Sequence, residues 1–391
     1  MIQQRILYIS YNGLFSHLGQ SQILPYLRQL SKKGFEFFVM TFEENSLVSP
    51  ESLKSEGIRW YFLKRAKGAK VSSVLWNLLR GALLCLFLRL RHRIQVIHAR
   101  SYLPGLIALI TKTVIPNTRY LFDMRGFMLD EYLEGGILKE ESFLIQIGRL
   151  MERAIFRNAN SVVTLTHKSL DILTQPGWKG DRNIPMTVIP CCVDLRDSIK
   201  RVRDTRVDKG LKLIYSGSLG SWYALEDMII FFEILKKRIP NASLEILSPQ
   251  FELVEQVIRS HSWAESIRYT HVPSSSVRYY LSRADAGLLF YKNGFSRIGT
   301  SPIKFAEYLS SGIPVIATSG IGDVDEIIHQ YKVGATITSR EKESYERVCD
   351  QIACLIEDPF LEDRCRAVAE EFYHLDKGVD SLEKVYVSLN Q

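Results

Sequence analysis

Residues 301–318 read SPIKFAEYLSSGIPVIAT. Pro302 fixes its own φ and suits the first turn of a helix. Phe305, Tyr308 and Leu309 then recur at helical spacing, while Lys304 and Glu307, three apart, share a face. Gly312 fits the position just past a helix end, and Pro314 prevents continuation. Val315-Ile316-Ala317 reads as a short buried strand. A cation and an acid at the mouth of a helix between parallel strands make a cradle for a sugar nucleotide. The helix N-terminus and Lys304 attract phosphate, and Glu307 accepts hydrogen bonds from ribose hydroxyls. On spacing alone, an ordinary surface ion pair is the simpler reading.

The rest of the chain supplies the context. Its 391 residues predict two domains, each with its own core. An apolar fraction of 46% with 24% charged residues is that of a globular protein. The six cysteines (Cys85, Cys191, Cys192, Cys349, Cys354 and Cys365) form no C-x-x-C, so a reduced, intracellular protein without structural zinc is expected. Met1 to Arg5 lead directly into an apolar run, so no leader peptide is expected. The net charge of +7 is unevenly spread. Residues 1–190 carry 25 Lys and Arg against 14 Asp and Glu, whereas residues 191–391 carry 25 against 29. The window 54–112 holds twelve basic residues and one acid, Glu56. Without a recognition helix, zinc motif or aromatic-plus-basic signature, nucleic acid is not the expected partner. An anionic membrane surface meeting residues 64–93, a lipid-linked phosphate or an acidic glycan fits better.

Along the chain, strands and helices alternate. Residues 6–10, 37–40 and 58–63 read as strands, with a glycine-bearing loop 13–19 before the first helix. Residues 71–90 form a helix of nearly membrane-spanning length, but Asn77 and Arg80 near its middle point to a buried or interfacial helix. Strands at 96–100 and 120–123 end on Arg100 and on Asp123, with Arg125 just beyond. In an open α/β sheet, ligands are met at such ends, so these arginines address a diphosphate or an anionic acceptor. A second βα unit begins with the strand 211–215 and the loop Ser216-Gly217-Ser218-Leu219-Gly220, whose backbone N–H groups precede a helix and can receive phosphate.

The form S-P-x-K-x-x-E-Y-x-x-x-G-x-P-V at 301–315 resembles the nucleotide-sugar site of retaining GT-B glycosyltransferases of the family 4-like group. Three further segments share that resemblance: GLFSHLGQSQ at 13–22, D-x-R-G at 123–126 followed by Asp130-Glu131, and VIPCCVD at 188–194. It implies two doubly wound Rossmann-like domains facing a cleft, at 1–190 and 191–373, with a terminal helix 374–391 returning to the first. It also implies sugar transfer from a UDP- or GDP-sugar to a glycan or lipid-linked acceptor, with retention, without catalytic metal or cofactor. The expected setting is cell-surface polysaccharide synthesis, cytoplasmic or peripheral at the inner membrane face.

The implied residue roles follow from these motifs, from the glycine loop 216–220, which resembles the family's diphosphate loop, and from the loop 272–277, which resembles the one that meets the nucleotide base. Lys304, Arg125 and Asp123 form the catalytic set. Glu307, Gly217, Ser218, Leu219, Ser301, Pro302, Val272 and Arg297 bind donor. Gly19, Gln20 and Arg100 lie on the acceptor side. Two departures stand out: Gly299 occupies the place of the first acid of the family's E-x7-E motif, and Cys191-Cys192 replace Asn-Gly. A nonhydrolysing sugar-nucleotide epimerase and a non-enzymatic relative binding a partner transferase stay open as alternatives.

Overall fold

Short apolar runs, most of them buried on both faces, form the strands of the computed structural model. It describes residues 4–44, 50–66, 71–180, 182–197, 210–220, 222–259 and 261–390. Lys67, Lys70, Ser221 and most of the lead-in 195–210 lie outside the described residues. The chain divides into two units, one of Met1–Pro190 with Leu375–Gln391 and one of Cys191–His374.

The first unit is built on a parallel sheet of β1 (Arg5–Ser10), β2 (Glu36–Glu43), β3 (Ile58–Lys64), β4 (Val96–Arg100), β5 (Arg119–Asp123), β6 (Ser161–Thr164) and β7 (Met186–Val188). Their order in the sheet is β3-β2-β1-β4-β5-β6-β7. The chain therefore winds outward to one edge, returns, and winds to the other. The reversal falls between β1 and β4, whose ends Ser10 and Arg100 are in register. Such a switch point opens a crevice at the strands' carboxyl ends.

The helix Leu375–Asn390 completes this unit. Tyr386 is fully buried from it, against Phe35 and Phe37, and its carbonyl accepts from Gln4 Nε2 at 2.8 Å. Lys33 clamps its outer side through Asp380 and Glu383 at 2.6 and 2.5 Å.

The second unit repeats the plan with β8 (Lys212–Ser216), β9 (Ser243–Leu247), β10 (Ile267–Thr270), β11 (Ala286–Leu289), β12 (Val315–Thr318) and β13 (Gly334–Ile337). The order β10-β9-β8-β11-β12-β13 puts the switch point between β8 and β11. Its two chain ends are tied together: Val193 N donates to Tyr373 O at 2.8 Å, and Val193 bridges His374 in parallel.

One element departs from the expectations, and one was not read from the sequence. The first loop is shorter than 13–19, because Ser16 caps a helix His17–Gln22 and accepts from Gly19 N at 3.2 Å. Gly19 is thus a buried helical residue, and a Cβ there would lie 2.2 Å from Leu14 O. A helix Tyr102–Val114, which was not read from the sequence, carries Pro104-Gly105 near its start. Pro104 falls in the first turn, where it is tolerated, and Gly105 lets the helix approach Ile155 and Phe122. The helix Val71–Arg91, expected to be buried or interfacial, buries one face only.

Candidate active site

In the second unit, the helix Ile303–Ser310 ends at Ser311, and Gly312 follows at φ +76°. The helix is pinned over the switch point by Tyr308, whose hydroxyl accepts from Ser216 N at 3.0 Å and donates to Leu288 O at 3.3 Å. One turn earlier, Lys304 is buried. Its Nζ donates to Tyr215 Oη at 2.9 Å and lies 3.7 Å from the centre of the Tyr223 ring. The Tyr215 hydroxyl donates in turn to Ser218 O at 2.6 Å, ordering the glycine loop. Gly217 is required there: its φ is +123°, and an added Cβ would sit 2.4 Å from Lys304 Cε.

Arg297 is also buried, its guanidinium 5.8 and 5.7 Å from the ring centres of Trp222 and Tyr291. The Tyr291 hydroxyl donates to that of Tyr223 at 3.1 Å. Two cations are thus held in one aromatic cage beside the loop. Burial lowers the pKa of Lys304, and the cage offsets part of that cost through its π faces. Among the described residues Lys304 forms no salt bridge; Glu307 is the acid nearest to it in sequence. Glu307 is half-buried as a residue, and desolvation of its carboxyl pushes the pKa up to about 7, with Lys304 and Arg278 pulling the other way.

The loop offers fewer amides than expected. Gly217 N donates to Leu247 O at 2.8 Å and Leu219 N to Gln250 Oε1 at 3.0 Å, so Ser218 and Gly220 supply the N–H groups that no such bond engages among the described residues. Ser301 serves its own unit, since its Oγ accepts from Cys191 N at 3.1 Å. Pro302 is the residue before the helix instead of its first turn, with φ −71°. Val272 is half-buried after the edge strand β10, packed against the core cluster that includes Phe305 and Tyr308. Gly299 is buried in the turn Phe295–Gly299.

In the first unit, the switch point gathers a second charged cluster. Asp123 accepts from Arg100 Nη1, Arg125 Nη1 and His98 Nε2, each at 3.3 Å. Ionised Asp123 can only accept, so the neutral imidazole carries its proton on Nε2 and Nδ1 accepts from the Tyr386 hydroxyl at 2.7 Å. Burial lowers the His98 pKa and keeps the ring neutral. Burial raises the Asp123 carboxyl, but Arg125, His98 and Arg100 outweigh it and hold it well below the usual carboxylate range. Arg100 precedes Ser101, a non-glycine residue at φ +73° whose N donates to Asp123 O at 2.8 Å. Such strain is commonly kept at functional sites. A cavity of about 30 Å³ lies against the cluster, lined also by Tyr8, Gln22 and Tyr26.

Both halves match known families. Residues 197–372 match "Glycosyl transferases group 1", and residues 20–192 match "Glycosyl transferase 4-like domain". The chain belongs to the GT-B glycosyltransferases. Its fold is shared by sucrose-phosphate synthase of Thermosynechococcus elongatus (TM-score 0.77, 15% identity, 99% of each chain covered). A glycosyltransferase of Rickettsia africae is similar over 100% of both chains (TM-score 0.71, 14% identity). HepE of Anabaena, solved with UDP and glucose, covers 98% of this chain and 100% of its own (TM-score 0.69, 12% identity). No curated protein matches the sequence.

Within this GT-B glycosyltransferase, the structure brings Lys304, Gly217, Ser218 and Arg297 to one locus, with Glu307 one turn further along the helix. Arg100, Asp123 and Arg125 meet at the other. Gln20 joins neither: it is exposed and donates to Phe15 O at 3.0 Å, while Gln22 lines the cavity. Tyr215, Tyr223, Tyr291, His98 and Tyr386 were missed as site residues. Only the run of aromatics at Trp222-Tyr223 after the glycine loop offered any signal. Among the described residues no three His, Cys, Asp or Glu side chains converge as metal ligands.

Proposed function

We propose that the chain moves a sugar from a nucleoside-diphosphate sugar to a glycan or lipid-linked hydroxyl, with retention at the anomeric carbon and without a catalytic metal. The observation that carries this is Lys304, a buried cation among aromatic rings beside a glycine loop and a helix N-terminus. A cation desolvated among neutral partners is costly, and a diphosphate supplies the missing countercharge. Glu307, one turn on, accepts from the ribose hydroxyls, and Val272 borders the base. HepE was solved with UDP-glucose, which supports a sugar nucleotide as the donor class.

In this reading the C1–O bond to diphosphate breaks and its electron pair stays on the leaving oxygen. Lys304, Arg297 and the Ser218 and Gly220 amides offset that charge as it develops. The acceptor oxygen bonds to the same face of C1 and yields its proton to the leaving diphosphate. Arg125 and Arg100 orient the acceptor or its anionic group, and ionised Asp123 fixes both guanidinium groups in place. The cellular role we assign is assembly of a cell-surface polysaccharide from the cytoplasmic side. WaaB, a lipopolysaccharide outer core galactosyltransferase of similar fold, is consistent with that role.

The test is a thermal-shift panel of UDP-, GDP- and other nucleotide sugars. The stabilising donor is then used in an acceptor assay with the product's anomeric configuration read by NMR. We expect one base to stabilise the protein and the product to keep the donor's configuration in the presence of EDTA. Inversion, or activity lost to EDTA and restored by metal, contradicts the mechanism. Donor turnover without acceptor favours the epimerase.

A further inference from the structure

The helix Val71–Arg91 lays one side on the first sheet and turns an apolar side outward. Its inner side is tightly fitted: a Cβ on Gly81 would lie 2.6 Å from Ile107 Cδ1, and Ala82, Cys85 and Leu88 are buried. Asn77 is held there too, accepting from Ala66 N and donating to Tyr11 Oη, each at 3.1 Å. The outer row is Val71, Leu75, Leu79, Leu83, Phe87 and Leu90, each between 51% and 63% exposed. Trp76 stands beside it, also more than half exposed. The spacing of three or four keeps the row on one face, running about 30 Å at 1.5 Å per residue. A solvent-facing helix ordinarily carries charge on this face, and so long an apolar patch marks a docking surface.

A neighbouring helix carries further exposed apolar residues. Tyr102–Val114 packs beside this helix and Phe143–Asn158 beside that one, bringing the exposed Phe143, Leu150 and Met151. The surroundings are basic. Residues 57–118 contain no Asp or Glu; exposed Arg91 and Arg93 follow the row's end, and exposed Lys64 lies at its flank, its carbonyl accepting from Arg80 at 2.6 Å. Arg80, lying 5.6 Å from the centre of the Trp76 ring, adds a cation at its side.

We propose that this face rests flat in the interfacial layer of an anionic lipid bilayer. The combination of a continuous apolar row, an interface-seeking tryptophan and basic borders fits acyl chains beneath anionic headgroups. A second copy of the chain fits less well, because it brings the same cations together. The helix is long and apolar enough to cross a membrane. Crossing, however, strips β2 and the Tyr102–Val114 helix of their cover and takes Asn77 and buried Arg89 away from their partners. The proposal rests on the first unit alone and stands or falls separately from the donor reading.

Vesicle flotation of the full chain tests it, comparing phosphatidylcholine mixed with phosphatidylglycerol against phosphatidylcholine alone. The protein should float with the anionic vesicles at low salt, and less as salt shortens the Debye length. Leu75→Gln, Leu79→Gln, Leu83→Gln and Phe87→Gln together should cut the bound fraction about tenfold while leaving the melting curve unchanged. Arg91→Gln with Arg93→Gln, which touches no core residue, should weaken anionic flotation in the same direction. The proposal is overturned by absent flotation, by equal flotation with neutral vesicles, or by flotation indifferent to both variants. A concentration-dependent dimer in sedimentation, abolished by the four glutamines, also overturns it and assigns the face to a second copy.

Discussion

Gly217 and Lys304 need each other. The glycine's φ of +123° is a conformation other residues rarely adopt, and the lysine's methylene occupies the space of its missing Cβ. Gly217→Ala is therefore expected to cost about 1–3 kcal/mol of stability, read in urea, and to weaken diphosphate binding by displacing Lys304. Glu307 is expected to show its position through pH. Its folded pKa, about 7, lies above the ordinary 4.5, so the folded state holds the proton more tightly than the unfolded chain. Stability conferred by this site is then full below about 4.5, falls as pH rises, and is lost above about 7. Melting curves of Glu307→Gln should lack that slope. Nucleotide affinity should rise through about 7 in wild type, because ribose hydroxyls favour the ionised acceptor. At this scale Lys304 and Glu307 were legible, since their spacing belongs to one helix. The Lys304–Tyr215 bond spans 89 residues and the His98–Tyr386 bond 288. Neither separation leaves any periodic trace.

Strands and helices were the most legible elements, because burial on both faces of a parallel sheet demands uninterrupted apolar runs. Failures fell where chemistry has two readings. The helix Tyr102–Val114 went unread; Pro and Gly ordinarily disfavour a helix, yet Pro104 falls in its first turn and Gly105 lets it pack closely. The Val71–Arg91 sequence fits a core helix and an interfacial helix equally, and only the structure shows Gly81 against the sheet with Leu75, Leu79 and Leu83 exposed opposite it. The terminal helix Leu375–Asn390 is expected to be integral to the first unit. Tyr386→Phe removes the donor to a buried imidazole and should cost about 1–3 kcal/mol. A lowered urea midpoint with unchanged m is the expected readout. An unaltered midpoint means that His98 finds another donor.

For the molecule as a whole, charge and fold point to a division of labour. The first unit carries the cationic excess and the exposed apolar helix, while the second holds Lys304 and Arg297 inside an aromatic cage. The two-unit GT-B plan was legible because each half repeats the same βα alternation and ends a strand on its own glycine or arginine signature. The engagement of two loop amides by Leu247 and Gln250 was not, since those bonds depend on β9 and the turn beyond it. Donor binding in the second unit should stabilise the chain by about 2.7 kcal/mol at a hundred times its dissociation constant. The central claim is that Lys304 anchors the diphosphate and not the nucleoside. Calorimetric titration of wild type and Lys304→Ala with a nucleoside and its diphosphate, uridine and UDP first, tests it most directly. The expected result is a loss of about 1.5–3 kcal/mol for the diphosphate with nucleoside affinity nearly unchanged. Equal losses for both ligands, or none for either, contradict the account.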